Sequence, residues 1–239
     1  MKSLKKITNK VLYLCLFMIL SIIIQIPTIS EGFFGGESSK NINLFLHVVI
    51  TFFSTIIIFL IVNTVYHRLN SKPIFVKNNI IRSYSFAVLF ALLSQILQFA
   101  ITVLEKGNDR DLELLAASQS KLAPILIITL VLISPLLEAM VWQGILQGGI
   151  LKDIPPLFSI IITSVLFAFA HGYSFNYKTL ELLCSGISYA ILYYVTDDLG
   201  SVVFCYGLSN LYIEVLKEYD KPYYNLFHQV KPKSSVNWL

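Results

Sequence analysis

Long apolar runs alternate with short polar connectors along this chain of 239 residues. A helix needs about twenty apolar residues to cross the hydrocarbon layer of a bilayer. Four long runs predict membrane-spanning helices, and three shorter runs predict further ones. The predicted spans lie at 11–29, 44–66, 83–104 and 122–147, followed by 157–171, 180–195 and 199–216. The pattern predicts an all-α, polytopic transmembrane bundle of seven to eight helices.

The composition agrees with a membrane protein and excludes several other classes. Hydrophobic residues make up 56% of the chain and charged residues 13%, whereas a soluble domain holds about 45–50% apolar and about 25% charged residues. A soluble enzyme, a nucleic-acid-binding protein and a secreted disulfide scaffold are therefore excluded. Cys15, Cys184 and Cys205 lie in apolar runs, and we expect all three to be small buried apolar residues.

Lysine and arginine in the connectors predict the orientation of the first spans, because short cytoplasmic loops are enriched in these residues. The segment before the first span and the connector after the second span both carry several of them. The N-terminus is therefore predicted to be cytoplasmic. An odd number of spans places four lysines of the C-terminal tail outside, against the same rule: Lys217, Lys221, Lys231 and Lys233.

Polar residues inside the apolar runs are the candidates for function, because an ionisable side chain in the bilayer costs about 3 kcal/mol or more. Glu138 is the only charged residue at 122–147, and Pro135 precedes it. A proline inside a helix frees a carbonyl group, which is tolerated where the backbone lines a cavity. We expect Glu138 to face a polar intramembrane cavity. The alternative is that it reaches out of the membrane near the end of its helix.

Two further polar residues lie in later apolar runs. His171 ends the run 157–171, and Asn210 lies in the last run with Tyr206 one helical turn before it. Taken singly, the histidine is typical of a membrane interface and the asparagine of an interhelical hydrogen bond. The same structural interpretation, with no functional role, applies to three polar residues of the second and third spans: His47, Gln95 and Gln98.

Taken together, these polar motifs resemble those of the CPBP family, which comprises CAAX-type prenyl endopeptidases and bacterial proteins linked to bacteriocin processing and self-immunity. That family carries EExxxR, FxxxH and HxxxN or HxxxD on separate membrane helices. The corresponding sequences here are EAMVWQ from Glu138, FAFAH from Phe167 and YGLSN from Tyr206. Three positions depart from the pattern: Ala139 replaces a glutamate, Gln143 the arginine and Tyr206 a histidine.

The resemblance covers residues 120–216 and divides the chain into three predicted parts. Residues 1–119 form N-terminal membrane spans without an assigned role. Residues 120–216 form the CPBP-like core, and residues 217–239 form a polar C-terminal tail. The resemblance also implies a multi-pass protein of a bacterial plasma membrane.

The resemblance implies an intramembrane endopeptidase that cleaves a membrane-delivered peptide, in bacteriocin maturation or self-immunity. Glu138 would then activate water as the base, His171 would orient the same water, and Asn210 would stabilise the oxyanion. Tyr206 would replace the missing histidine as a second oxyanion donor. The substrate cavity would be lined by Trp142, Gln143 and Phe167.

Two alternatives stay open. Members of the family are often described as metalloproteases, but one carboxylate and one histidine at the motif positions are an incomplete zinc ligand set, so no cofactor is expected. The joint loss of the motif glutamate and arginine is equally consistent with a pseudoprotease, a membrane scaffold that regulates a membrane sensor or a cell-wall enzyme. In both cases the expected partners are the lipid bilayer and a membrane-associated peptide or protein, and nucleic acid is not expected.

Overall fold

The structure is a computed structural model that describes residues 2–29, 44–70, 72–75, 79–104, 123–171 and 175–212. Within these ranges the chain forms seven helices and no strand, which confirms the predicted all-α bundle. The helices are α1 (Lys2–Ile23), α2 (Leu44–Leu69), α3 (Ile80–Leu104), α4 (123–150), α5 (Pro156–His171), α6 (Tyr177–Thr196) and α7 (199–212). The predicted polar tail at 217–239 lies outside the described residues.

Five of the described helical segments are long and apolar enough to cross a membrane. They are Lys10–Ile29, Phe45–Leu69, Ile80–Ile101, Thr129–Ile150 and Tyr177–Thr196. A sixth, Pro156–His171, is apolar but shorter. The chain is therefore a multi-pass membrane protein, as the hydrophobic pattern predicts, although α4 continues to Ile150 instead of ending near residue 147.

The outer helices turn their apolar side chains outward and their polar side chains inward. On α2, Phe45 and Phe53 are exposed, whereas His47 and Thr51 are buried. Lipid tails are as apolar as leucine, so a helix gains little by hiding apolar residues from them, and polar groups stabilise the contacts between helices instead. This distribution identifies the outer faces of α2 and α3 as lipid-facing.

The predicted interhelical role of two glutamines is confirmed. Gln95 on α3 donates a hydrogen bond from Nε2 to the backbone carbonyl of Ser209 on α7 at 3.3 Å. Gln98 donates from Nε2 to the hydroxyls of Ser94 and Ser185, at 2.9 and 3.1 Å. These bonds hold α3 against α6 and α7, which carry the C-terminal part of the bundle.

The thiols lie in three different environments. Cys205 on α7 is buried, Cys184 on α6 is half-buried and Cys15 on α1 is exposed. The prediction of small buried apolar residues is correct for Cys205 and wrong for Cys15. The reason is that α1 buries only a narrow stripe, which includes Phe17 and Leu20, and Cys15 points away from it.

Helix α4 is the central helix of the bundle. In its apolar window 72% of the residues are buried, against 22% in the windows of α1 and α2. It packs against α1, α2 and α5. For example, the ring of Phe17 on α1 meets Trp142 on α4 edge-on, with the ring centroids 5.1 Å apart. A polar side chain on α4 is therefore held away from lipid and among other helices.

The predicted break at Pro135 is present as a change of helix type within α4. Two α-helical stretches, Ala123–Ile128 and Ser134–Ala139, alternate with two π-helical stretches, Thr129–Ile133 and Met140–Ile150. The backbone N–H of Ser134 donates to the carbonyl of Thr129, five residues back, instead of to Leu130. The next residue is Pro135, which has no N–H. The carbonyl of Leu130 is thereby left without a donor from its own helix.

Helix α7 fits against this break. The Nδ2 of Asn210 donates to the free carbonyl of Leu130 at 2.7 Å. One turn earlier, Gly207 lies so close to α4 that a Cβ there would come within 2.5 Å of the carbonyl oxygen of Val131. A buried carbonyl that lacks a partner is costly. Asn210 therefore satisfies the carbonyl that the proline leaves open, and the lack of a side chain at Gly207 lets α7 come close enough to reach it.

Candidate active site

Glu138 lies in the second α-helical stretch of α4, just after the proline break, and only 3% of its surface is exposed. The alternative that it reaches out of the membrane at a helix end is therefore wrong. Because α4 is the central helix, the Glu138 carboxylate forms hydrogen bonds with side chains from α5 and α7 as well as from α4.

Three side chains form hydrogen bonds with the Glu138 carboxylate. The hydroxyl of Tyr206 on α7 donates to Oε2 at 2.7 Å. The Nε2 of His171, at the end of α5, lies 3.0 Å from the same oxygen. The hydroxyl of Ser134, one turn before Glu138, donates to Oε1 at 2.5 Å. The structure thus brings together Glu138, His171 and Tyr206, three of the four predicted catalytic residues.

The second nitrogen of His171 determines where a proton must lie. Its Nδ1 is 2.8 Å from the backbone carbonyl of Phe167. A carbonyl only accepts, so Nδ1 carries a hydrogen and donates it. If the ring is neutral, Nε2 is an acceptor, and the bond to Glu138 requires a protonated carboxyl. If the ring is charged, Nε2 donates to a carboxylate. In either form one proton lies between Oε2 of Glu138 and Nε2 of His171.

The hydrogen bonds leave a single position open on the carboxylate. An ionised carboxylate offers about four lone-pair positions, and Ser134, His171 and Tyr206 occupy three of them. The only sizeable exposure in the pair is at His171, whose side chain is 19% exposed against 4% for Glu138. The sequence predicts that Glu138 faces a polar intramembrane cavity. The structure shows a closely hydrogen-bonded polar group that is exposed only on the His171 side.

Aromatic rings surround this polar group. Phe167 is the hub, because its ring lies 4.5 Å from His171, 5.7 Å from Trp142 and 5.9 Å from both Tyr189 and Tyr206, measured between centroids. Tyr189 on α6 stacks on Tyr206 at 4.5 Å. These rings fix the orientation of the His171 and Tyr206 rings. They also surround the hydrogen-bonded Glu138 carboxylate with apolar atoms, where hydrogen bonds to charged groups are strong.

Asn210 is not part of the hydrogen-bonded group around Glu138. Its amide nitrogen donates to Leu130, so the residue shows the interhelical bond that is typical of asparagine in a membrane helix. Oxyanion stabilisation by Asn210 stays a prediction. It would use the second hydrogen of the amide, since an NH₂ group carries two donors.

The position of the missing motif arginine is occupied by a fully enclosed amide. Gln143 is 1% exposed, and its Nε2 has no hydrogen-bond partner among the described residues. The same holds for the indole Nε1 of its neighbour Trp142. The Trp142 ring packs against Phe167, and neither donor is bonded to the Glu138 carboxylate. Their predicted place in a substrate cavity stays a prediction.

The side chains at this centre do not suit zinc. Catalytic zinc takes three protein ligands, commonly two histidines and a glutamate, and keeps one position open. The centre supplies one imidazole and one carboxylate, together with a phenol and a hydroxyl, and the imidazole is directed at the carboxylate itself. In the described part of the chain there is also no cluster of three histidine, cysteine or acidic residues that could hold a metal.

Ser134 and Tyr189 belong to the centre but escape the motif-based prediction. The sequence does contain a signal that could identify Ser134, because this residue lies one helical turn before Glu138 and on the same helix face. Tyr189 has none, since its place depends on how α6 packs. That packing is close at Gly186, where a Cβ would lie 3.1 Å from both the Phe167 ring and the Ser164 carbonyl oxygen.

Comparison with known families finds a match over the part of the chain that carries this centre. Residues 120–212 match the family model described as Type II CAAX prenyl endopeptidase Rce1-like. This segment belongs to the CPBP family. The CPBP segment spans α4 to α7, so it contains every residue of the centre and has the fold of a CAAX-type intramembrane protease. No curated protein and no solved structure matches the chain.

Proposed function

We propose that this protein is an intramembrane endopeptidase in which Glu138 activates the hydrolytic water. The observation that carries the proposal is the 3.0 Å contact between Glu138 and His171, in a CPBP segment where Tyr206 also bonds to the carboxylate. A carboxylate with an adjacent imidazole is a suitable pair for general acid–base catalysis, because either member holds the shared proton.

The open position on the carboxylate is the place for water. A water there donates one hydrogen to Oε1 of Glu138, beside the Ser134 hydroxyl, because Tyr206 and His171 already occupy the two lone pairs of Oε2. As its oxygen attacks the peptide carbonyl carbon, the proton passes to Glu138. The same proton then goes to the amine nitrogen as the C–N bond breaks, which leaves a carboxylic acid and an amine. The acid then gives its proton, the second of the water molecule, to the amine, so the final products are a carboxylate and an ammonium group.

Tyr206 is the nearest donor for the oxyanion. In the resting centre its hydroxyl donates to Glu138. Once Glu138 has accepted the proton from water, its oxygen is a weaker acceptor, because bonds to ionised groups are roughly twice as strong as neutral ones. The Tyr206 hydroxyl is then free to turn to the oxyanion. Losing such a donor costs about 10²–10³ in rate.

The substrate class follows from the location of the centre. A group enclosed by membrane helices is accessible to a peptide that the bilayer delivers, such as a leader or signal-type peptide or a prenyl-bearing C-terminus. The proposed link to bacteriocin maturation or self-immunity rests on the motif resemblance. Leader-type peptides are therefore included among the test substrates below.

We propose that the end of the bundle where α4 ends faces the cytoplasm, in a bacterial plasma membrane. Support comes from the cations that cluster at this end, since cytoplasmic loops are rich in lysine and arginine. They are Lys10, Arg68, Lys72, Arg82 and Lys152. Among the described residues, Lys178 at the start of α6 lies at the other end.

A catalytically inactive scaffold is the second candidate. The observation in its favour is that three hydrogen bonds enclose a carboxylate that is only 3% exposed. In addition, the motif glutamate and arginine are both replaced, by Ala139 and Gln143. A scaffold of this kind would bind a membrane partner, such as a sensor or a cell-wall enzyme, through the same helices without hydrolysing it.

The experiment compares the purified protein in liposomes with its Glu138→Ala variant. Mass spectrometry follows cleavage of leader-type and CAAX-like peptides, and Glu181→Ala serves as the matched control outside the centre. The proposal expects cleavage by the parent and the control but not by Glu138→Ala. If the parent cleaves none of the peptides and the cellular phenotype survives Glu138→Ala, the scaffold is the correct function.

A further inference from the structure

A crevice of about 290 Å³ lies at the end of the bundle where α4 ends, far from the Glu138 centre along the helix. Its walls come from three helices or their ends. Lys10 and Tyr13 belong to α1, Arg68 ends α2, and Lys152 and Asp153 follow α4. The crevice therefore joins the N-terminal helices to the CPBP segment at one point.

The walls of the crevice carry an excess of positive charge. Lys10, Arg68 and Lys152 are opposed by Asp153 alone, so the lining has three cations and one anion and a net charge of +2. Asp153 pairs with Lys10 at 3.3 Å, and both side chains are about half exposed. Neither Arg68 nor Lys152 forms an ion pair with another described residue. Two cations on the walls are thus left for an external anion.

The surface beside the crevice is apolar. On α1, Val11, Leu12 and Leu14 are 56%, 62% and 46% exposed, and this lipid-facing strip begins directly after Lys10. The crevice therefore lies at the boundary between the hydrocarbon layer and the polar surface, the level at which phospholipid headgroups lie. An anion that occupies it is in position to continue into acyl chains along the strip.

We propose that this crevice binds the phosphate-bearing headgroup of an anionic phospholipid. Arg68 supplies a planar guanidinium that donates two hydrogen bonds to phosphate oxygens, and Lys152 supplies a second, compact cation. The acyl chains lie on the exposed face of α1. The bound lipid connects α1 and α2 to the end of α4, and this stabilises the helix that carries Glu138. The proposal is independent of the peptidase activity.

Thermal unfolding in detergent micelles tests the proposal on the full chain. The additions are phosphatidylglycerol, phosphatidylcholine and inorganic phosphate, each at matched concentration. Ligands that bind only the folded state raise the unfolding midpoint, and we expect phosphatidylglycerol in about hundredfold excess over its dissociation constant to raise it by about 5 °C. Phosphatidylcholine and inorganic phosphate should give no rise.

Three variants test whether phosphatidylglycerol raises the unfolding midpoint by binding in the crevice. The Arg68→Gln/Lys152→Gln double variant should lose the rise, whereas Arg82→Gln, which removes a cation from the same end but outside the crevice, should keep it. Asp153→Asn removes the negative charge from the lining and should strengthen phosphatidylglycerol binding. This increase keeps the test decisive if the double variant fails to fold.

Several results would overturn the proposal. Equal shifts with phosphatidylglycerol and phosphatidylcholine would show that charge is not recognised. An equal shift with inorganic phosphate would show a site for a free anion instead of a lipid. A rise that persists in the double variant, a rise that Arg82→Gln abolishes, or weaker binding by Asp153→Asn would each show that the crevice is not the site.

Discussion

The side-chain amide of Asn210 on α7 donates a hydrogen bond to the backbone carbonyl of Leu130 on α4 at 2.7 Å. This carbonyl lacks a donor in its own helix, because Ser134 donates to Thr129 and Pro135 has no N–H. The bond therefore links two features that lie 80 positions apart, the proline break and the last motif. It holds α7, and with it Tyr206, against the helix that carries Glu138.

Replacing Asn210 should destabilise the protein, whatever the residue does in catalysis. Asn210→Ala leaves the Leu130 carbonyl buried and unpaired, which costs about 1–3 kcal/mol. Asn210→Asp should cost more, since an ionised carboxylate places a second acceptor against the carbonyl. Thermal unfolding in detergent measures both, with Asn63→Ala on α2 as the control. Unfolding midpoints equal to the parent in both variants would contradict this role for the bond.

The close approach of α7 to the break predicts a second stability effect. A Cβ at residue 207 would lie 2.5 Å from the Val131 carbonyl oxygen, a backbone atom that cannot move aside easily. Gly207→Ala should therefore cost about 1–3 kcal/mol, as overpacking in a core does. Gly149→Ala is the control, because its Cβ would meet the Leu69 Cβ at the longer distance of 3.0 Å. A Gly207→Ala midpoint equal to that of the parent, or a larger loss in Gly149→Ala, would show that the approach of α7 is not constrained.

Tyr206 should contribute to rate more than to stability. Tyr206→Phe keeps the ring that stacks on Tyr189 but removes the hydroxyl that donates to Glu138. We expect the cleavage rate to fall by about 10²–10³, as on loss of an oxyanion donor. The stability should fall by about 1–3 kcal/mol, because the buried carboxylate loses one of its three hydrogen bonds. Tyr206→His, which restores the residue of the family motif, should retain more activity than Tyr206→Phe. A Tyr206→Phe variant with the parent rate would remove Tyr206 from the mechanism.

The side chains around Glu138 predict peptide hydrolysis that does not require zinc. Metal analysis of the purified protein should find less than stoichiometric zinc, and a chelator should leave peptide cleavage unchanged, because one imidazole and one carboxylate in contact with each other do not make a catalytic zinc site. Stoichiometric zinc that disappears in a His171→Ala variant would contradict the proposed mechanism.

The fold could be predicted from the sequence because its main signal is local. Each long apolar run determines a span by its own length, so the sequence predicts seven helices in the order that the described residues show. The break in α4 was also predicted, since Pro135 alone removes a backbone donor. The sequence places the end of α4 too early, because Gln147 interrupts the apolar run. In the bundle its Nε2 donates to the Ala190 carbonyl, and the helix continues to Ile150.

The centre was predictable only in part. The motif spacing pointed to Glu138, His171 and Tyr206, and the structure brings these three together. It could not show that Asn210 bonds to Leu130, because this depends on a change to π-helix and on the packing of α7. Tyr189 was missed for the same reason, since its place beside Tyr206 is set by contacts between helices rather than by spacing along one helix.

The most direct test of the central claim is the single-turnover rate of peptide cleavage by Glu138→Gln, relative to the parent. This variant keeps the size and polarity of the side chain but removes the base. General acid–base catalysis contributes about 10²–10⁴ in rate, so we predict a loss of at least this size, with Glu181→Gln retaining the parent rate. Cleavage by Glu138→Gln at the parent rate would show that Glu138 does not activate the water.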